Sequence, residues 1–335
     1  MSSRETAVLN VIATYRRPDA RNAVINLAAS GGLYAVSIAM LGVLITAELP
    51  LAFRLVGLLA AYLFSGLVIV KIFTIQHDCG HESYIGDARL NRALGRFCAI
   101  LTFIPFTAWK EEHAEHHACF AKLDEQTFGD VLLLTVEQFK AASFWQRVAY
   151  RAFRHPGFLL CLAPLAYVLI RQRFPSRPRK SRVISCAAHT TCLFLIYGAV
   201  LHIYGFIVLA IIVPPLYVAT AIGVIIFVIE HQFEAAEWTS GSEWRLRQAA
   251  IDASSYVPMP RVLAWLTGYV GYHHLHHFNP RIPSYRLKPC FSALGERFPC
   301  KAVLMSDVPR NIRLSLWSHE LNRLVTFNEA KWVAR

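Results

Sequence analysis

The segment from Val183 to Ile229 decides the fold, and it reads VISCAAHTTCLFLIYGAVLHIYGFIVLAIIVPPLYVATAIGVIIFVI. It contains no Asp, Glu, Lys or Arg anywhere along its length. One membrane-spanning helix needs about 20 apolar residues, so the segment predicts two spans, at about 183–203 and 207–229, with a turn between them. A hydrophobic content of 55% and a charged content of 17% also favour an integral membrane protein over a soluble one.

Two further apolar stretches lie nearer the N-terminus and predict spans at about 23–47 and 53–75. The four spans form two hairpins, so the chain returns to its starting side after each pair. We therefore expect an all-α integral membrane fold, organised as one membrane domain over residues 1–335. Its cap consists of residues 76–182 and 230–335, which lie on the same side of the membrane.

Two shorter apolar runs, Phe97–Trp109 and Gly157–Ile170, are not long enough for a typical span. We expect them to be interfacial or re-entrant, because a single crossing by either would split the cap across the bilayer. The segment Arg171–Arg182 is strongly basic, and the positive-inside rule then places the cap in the cytoplasm. Contact with anionic headgroups explains the net charge of +12 better than nucleic-acid binding does, since no nucleic-acid motif accompanies it.

Most of the histidines occur in three short clusters with the spacings His-x-x-x-His or His-x-x-His-His. On a helix, positions i, i+3 and i+4 share one face, so each cluster can direct its nitrogens to one point. Neutral imidazole is a common transition-metal ligand, and so many imidazoles exceed the needs of one ion. The pattern predicts at least two metal ions, and two irons suit a site that activates oxygen. The clusters are His77 and His81; His113, His116 and His117; and His273, His274, His276 and His277.

The motifs around these clusters are specific. HDCGHESY from His77 and AWKEEHAEHH from Ala108 resemble the first two histidine boxes of the membrane fatty acid desaturases. GYHHLHHFNPRIPSYRL from Gly271 resembles the third box of the bacterial and plant acyl-lipid branch of that family. The resemblance also assigns a metal-binding role to His231, in VIEHQFEAAEW, which spacing alone would leave as a surface histidine.

The resemblance implies a ligand set drawn from every box. Metal-bound histidines commonly donate their outer N–H to a carboxylate, so acidic residues near the boxes are candidate partners. If the third box is helical, His274 points away from the metals. We then expect it either to contact a metal ligand without binding metal itself or to face solvent. The implied ligands are His77, His81, His113, His116, His117, His231, His273, His276 and His277, and the candidate carboxylates are Asp78, Glu111, Asp130 and Asp252.

The resemblance implies an oxygen-dependent desaturase that introduces a cis double bond into a lipid-linked acyl chain at a centre of two iron ions. The membrane acyl chain would lie in an apolar tunnel between the spans. The chain shows no fused haem domain, so we expect a separate electron donor, ferredoxin-like or similar. The enzyme would lie in the bacterial inner membrane with its site facing the cytoplasm.

Two alternatives remain open from the sequence. A hydroxylase or ketolase of the same superfamily would use the same oxidant, and small shifts in geometry separate these outcomes. A membrane metal transporter is the less favoured alternative. Transport usually places ionisable ligands near the middle of the membrane, whereas the clusters here fall outside the apolar spans.

Overall fold

A computed structural model describes residues 3–126, 132–175 and 177–333. The α-helices are α1 (Ser3–Tyr15), α2 (Ala20–Thr46), α3 (Leu51–Gly80), α4 (Ala88–Thr102), α5 (Phe106–Cys119), α6 (Val136–Ala141), α7 (Phe144–Phe153), α8 (Ala163–Leu169), α9 (Lys180–Tyr204), α10 (Ile207–His231), α11 (Leu246–Asp252), α12 (Arg261–Leu266), α13 (His273–Phe278), α14 (Ser284–Leu294) and α15 (Val308–Asn311). The strands are β1 (Leu134–Thr135), β2 (Ser255–Tyr256), β3 (Lys301–Ala302), β4 (Leu314–Ser318) and β5 (Arg323–Thr326). Short 3₁₀ turns lie at Arg171–Arg173, Gly241–Glu243, Val270–Tyr272, Gly295–Arg297, Met305–Asp307 and Glu329–Lys331, and a π-helical turn lies at Phe158–Leu162.

Among the described residues, four helices are long and apolar enough to cross a membrane by themselves, namely α2, α3, α9 and α10. This confirms the predicted all-α membrane fold with four spans. The turn between α9 and α10 lies at Gly205, whose φ of 70° suits glycine. The largest difference from the predicted bounds is in α3, which continues to Gly80. The first histidine cluster therefore begins on the last turn of a spanning helix.

The close approach of α3 and α10 depends on a glycine. A Cβ atom at Gly66 would lie 2.4 Å from Cγ1 of Val218, so a larger residue would force the two helices apart. Large apolar side chains such as Val43 and Phe194 are exposed on the outer faces of the spans, as expected for surfaces that contact lipid. The packing thus fixes α3 and α10 side by side, with their cap-side ends together.

Neither short apolar run forms a straight span. Phe97–Trp109 is divided between α4 and α5 by a break at Phe103, whose φ is 60°. Gly157–Ile170 belongs to a segment that is bent by 56° relative to α7. His116 and His273 have nitrogens within 4.8 Å of each other, although this second run and the α9–α10 hairpin separate them in sequence. A single crossing by the run would place these two histidines on opposite sides of the membrane.

The cap contains two small sheets that the sequence did not predict. Strand β4 pairs in parallel with β1 and antiparallel with β5, with Leu134 opposite Leu316 and Trp317 opposite Leu324. Strands β2 and β3 form a separate parallel pair. Strands as short as two residues carry no readable alternation of polar and apolar positions. Leu314, Trp317 and Leu324 of the larger sheet pack in one core with Ile229 at the end of α10, which joins the cap to the membrane spans.

Candidate metal centre

The first histidine cluster lies at the cap-side end of α3. His77 is in the last turn and His81 caps the helix, and the His81 backbone N–H donates to the His77 carbonyl oxygen at 3.2 Å. Their spacing of four residues puts both rings on one face. The chain leaves the helix at Glu82, whose φ is 55°. Both imidazoles are thus held at the helix end, where α5 passes.

The second cluster lies along α5. His113 and His117 are one turn apart, and His116 is offset by one position, so the three rings share a broad face of the helix. The Trp109 ring stacks on the His113 ring, with centroids 4.6 Å apart and planes at 16°. This contact fixes the direction of His113, and the same Trp109 ring lies 5.6 Å from the His77 ring between centroids.

The remaining histidines come from the ends of two other elements. His231 is the last residue of α10, and the third cluster forms the short helix α13. Gly271 sets the position of α13, because a Cβ atom there would lie 2.3 Å from the Val257 carbonyl oxygen. The Val257 backbone N–H in turn donates to the Gly271 carbonyl oxygen at 2.8 Å. The glycine of the third box is therefore needed for a close approach between two backbones.

All nine predicted imidazoles come together in two groups, which we call the five-histidine group and the four-histidine group. Within each group, one ring nitrogen from every member lies within 4.8 Å of the others. His116 and His117 are adjacent on α5 but belong to different groups, so both groups use that helix. The five-histidine group is His77, His81, His113, His117 and His276, and the four-histidine group is His116, His231, His273 and His277.

The spacing of the nitrogens fits metal ions. Two imidazole nitrogens bound at a right angle, each about 2.1 Å from an ion, lie about 3.0 Å apart. Nε2 of His113 lies 3.0 Å from Nε2 of His77, and Nε2 of His273 lies 2.8 Å from Nε2 of His231. Burial lowers the pKa of His113 and of His276 well below the ordinary histidine value, so these rings are neutral. Clustered neutral imidazoles suit iron, zinc or copper, and the residues fit two such ions.

Each group includes one imidazole whose outer nitrogen meets a carboxylate. Asp78 Oδ1 lies 3.3 Å from Nδ1 of His77, which is the contact that the sequence analysis sought, and Asp78 Oδ2 accepts from the Ser284 backbone N–H at 2.7 Å. In the four-histidine group, Glu230 Oε2 lies 3.3 Å from Nδ1 of His273. Glu230 is not among the carboxylates predicted from the sequence. The sequence does contain a feature that indicates this role. Glu230 lies at the end of an apolar span, directly before a candidate ligand, and a carboxylate in that position is costly without a partner.

Two other carboxylates do not have the predicted role. Glu111 lies on the side of α5 opposite His113 and accepts from Nε of Arg182 at 3.0 Å. Asp252 lies 3.8 Å from Nζ of Lys301. The prediction that these carboxylates receive the outer N–H of a ligand imidazole is therefore wrong. In the case of Glu111, two residues along a helix turn the side chain by about 200°, which takes it away from the histidine face.

His274 turns away from both groups, as the helical spacing predicted. Its ring packs against Phe291 and Phe298, with centroid distances of 5.4 Å to each. The side chain is fully buried, so the alternative in which it faces solvent is wrong. Asp130, the remaining candidate carboxylate, lies outside the described residues.

The basic segment Arg171–Arg182, which ends in the first turn of α9, contacts α5. Arg182 is fully buried between two carboxylates of α5, with Nη2 2.6 Å from Glu115 and Nε 3.0 Å from Glu111. Nη2 of Arg171 lies 3.2 Å from Glu112. Arg182 therefore holds α5 from the side opposite its histidines, and Arg171 holds the flank of the helix next to His116. Charge composition alone favours lipid headgroups as the partners of this segment, because it does not show which charges pair within the fold.

Four spans with nine converging imidazoles at their cap-side ends define an integral membrane protein with a candidate centre for two metals. The family model described as fatty acid desaturase matches residues 52–309, a range that includes all nine histidines. The chain belongs to the fatty acid desaturase family.

Its relatives include enzymes from bacteria and plants. The chain is 29% identical to a fatty acid desaturase of Bacillus subtilis (strain 168), over 99% of this chain and 94% of that protein. It is 23% identical to the sn-1 oleoyl-lipid 12-desaturase of Synechocystis, over 71% of this chain and 68% of that protein. It is also 23% identical to the chloroplastic sn-2 acyl-lipid omega-3 desaturase (ferredoxin) of Helianthus annuus, over 66% of this chain and 52% of that protein. The protein is accordingly an oxidoreductase that acts as a fatty acid desaturase.

Proposed function

We propose that the nine histidines hold two iron ions and that the enzyme uses O₂ to place a cis double bond in a lipid-linked acyl chain. The observation that carries this proposal is the convergence of five and four imidazoles in two adjoining groups. Iron would supply oxygen activation, a chemistry that no amino-acid side chain offers against an unactivated C–H bond. The acyl-lipid desaturases among the relatives support a lipid-linked substrate.

The chain's own residues would orient the ions and exclude water. His116 and His277 are nearly fully buried, and the Phe120 ring lies 4.1 Å from the His277 ring between centroids. Phe227 covers His231 from the membrane side, at a centroid distance of 5.0 Å. A dry, aromatic surround strengthens electrostatic contacts and keeps reactive species from bulk water.

We propose that the methyl end of the substrate enters a narrow cleft between the spans, which would have to widen to admit it. The cleft is bordered by α2, α3, α9 and α10, and its lining includes Ser37, Ser65, Ile69 and Leu216. Ile69 precedes His77 on α3 by eight residues, or about 12 Å along the helix axis. We place the acyl chain along α3, with its tail in this cleft and the reacting carbons beside the histidines.

The electrons would come from a separate, ferredoxin-like donor, as the name of the sunflower relative supports. Each turnover takes one O₂, two electrons and two protons, and releases two waters with the double bond. The positive-inside rule supports a location in the bacterial inner membrane, with the single membrane domain turning its cap to the cytoplasm. Arg177 and Arg179 remain largely exposed on the cap and could meet an acidic donor.

Expression in a host with only saturated and monounsaturated lipids, followed by fatty acid profiling, tests the proposal. We expect a product that has lost two hydrogens and purified protein with about two irons per chain. His116→Ala and His276→Ala, one from each group, should abolish the product while the protein still inserts. His319→Ala, at an exposed position outside both groups, is the matched control. Gain of oxygen in the product, or full activity of either ligand variant, would contradict the proposal.

A further inference from the structure

Helix α7 packs a polar side against the cap and exposes its apolar side, which is the reverse of most helices of soluble proteins. Two polar side chains at its C-terminal end face the cap: the Tyr150 hydroxyl donates to the Ser315 carbonyl oxygen at 2.6 Å, and Nη2 of Arg154, the residue that caps the helix, donates to the Leu314 carbonyl oxygen at 2.6 Å. Both contacts fasten the helix to strand β4. A soluble helix normally buries its apolar stripe instead and leaves polar residues outside.

The opposite side of α7 is apolar and exposed. Trp145 is 75% exposed, Phe144 is 61% exposed and Val148 is 44% exposed. With the helical repeat of 3.6 residues, Ala149 and Ala152 fall on the same outward arc, so the whole arc is apolar. A contiguous apolar stripe of this kind marks a contact surface, whereas single exposed apolar residues are ordinary.

The stripe is continuous with a segment of membrane character. Helix α7 and residues Phe158–Arg173 together have the length and apolarity of a span, but they are bent by 56°. Leu162 and Ile170 continue the exposed apolar surface beyond the bend. The two histidine groups require both ends of this segment to lie on one side of the membrane. The segment therefore cannot cross once, and α7 is left at the level of the membrane surface.

A basic edge runs beside the stripe. Arg147 and Arg151 lie on the flank between the outward arc and the cap. The Arg151 guanidinium lies over the ring of Phe139, 5.4 Å from its centroid, while the residue as a whole remains exposed. Arginine beside an apolar stripe is typical of helices that lie among lipid headgroups.

We propose that α7 lies in the plane of the membrane interface, with Phe144, Trp145 and Val148 in the boundary between headgroups and acyl chains. The helix is an anchor that sets the depth of the cap. Arg154 also donates to Oε1 of Gln232 at 2.9 Å, so the anchor is tied to the residue that follows His231. This inference rests on the membrane fold and not on the identity of the metals.

Tryptophan quenching in lipid nanodiscs tests the position of the helix. The emission of Trp145 is taken as the difference between the wild-type protein and Trp145→Phe. We expect this emission to lose most of its intensity when the lipids carry bromine near the headgroup end of the acyl chain, and to resist aqueous iodide. Quenching by iodide alone would place the stripe in water. Protection from both quenchers would mean that protein, such as a second copy of the chain, covers it. Either result would overturn the proposal.

A charge introduced into the stripe gives a second, independent measurement. Val148→Glu would force a carboxylate into the apolar boundary, so we expect its midpoint of thermal unfolding in nanodiscs to fall by several degrees. Gln146→Glu adds the same charge outside the stripe and can keep the capping contact that Gln146 makes with the Ser143 backbone N–H. This control should behave as the wild-type protein does. Equal midpoints for both variants would contradict the anchor.

Discussion

The two histidine groups are built from the same chemistry but are held differently. The five-histidine group takes members from all three histidine boxes, whereas the four-histidine group takes members from two boxes and from the end of α10. In each group one imidazole meets a carboxylate at 3.3 Å, from Asp78 in the first group and from Glu230 in the second. The ligand type alone therefore does not distinguish the two positions. The residues that surround each group do distinguish them.

The carboxylates differ in how firmly they are fixed. Asp78 uses both oxygens, one toward His77 and one to accept from the Ser284 backbone N–H. Glu230 uses Oε2 toward His273, and its buried Oε1 has no hydrogen-bond partner among the described residues. A carboxylate held at both oxygens orients its imidazole more strictly than one held at a single oxygen. We expect the five-histidine group to be the more rigid of the two.

The largest effect should come from paired ligand variants that test the division into groups. His81→Ala with His117→Ala removes two members of one group, and we expect the protein to keep about one metal ion per chain. His81→Ala with His116→Ala removes one member from each group, and both ions should bind weakly. All desaturation should be lost in either case. Metal analysis by mass spectrometry after dialysis measures the difference.

His116 and His117 are neighbours in sequence, which makes the paired variants a strict test. The two double variants differ only in which neighbour is lost. Equal metal contents would show that the histidines form one undivided site. His319→Ala, at an exposed position, is again the control and should keep both ions.

Hydropathy and helical spacing are local properties, and they predicted the four spans and eight of the nine imidazoles. The ninth, His231, was predicted only through the family resemblance. The sequence could not divide the imidazoles between two groups. His116 and His117 belong to different groups because their partners come from elements distant in sequence, the end of α3 for His117 and the end of α10 for His116. The sequence also could not predict that Glu111 and Glu115 pair with Arg182. Arg182 is distant from them in sequence, and its basic segment is equally suited to contact lipid headgroups.

An intermediate effect should come from changing one carboxylate at a time. In Asp78→Asn, the side-chain amide cannot both accept from His77 and accept from Ser284 without placing its NH₂ against a donor. We expect metal affinity at the five-histidine group to fall by up to about 100-fold. In Glu230→Gln, the NH₂ can take the position of Oε1, where no donor faces it, so the loss at the other group should be nearer about 10-fold. Competition with a chelator measures both affinities, and equal losses would contradict the proposed difference in rigidity.

The smallest effect should come from replacing Arg182, which packs against the side of α5 opposite its histidines. The change should affect both groups alike, because α5 contributes candidate ligands to each. Arg182→Met leaves Glu111 and Glu115 without their buried partner, so the free energy of unfolding should fall by about 2–3 kcal/mol. Arg179 also approaches Glu115, at 3.6 Å, but it is 65% exposed, and Arg179→Met should cost less than about 0.5 kcal/mol. Arg182→Lys should recover only part of the loss, because lysine lacks the fork that joins two carboxylates. In cobalt-substituted protein, Arg182→Met should broaden the absorption bands of both ions. A change confined to one ion would mean that α5 is not the element through which Arg182 acts.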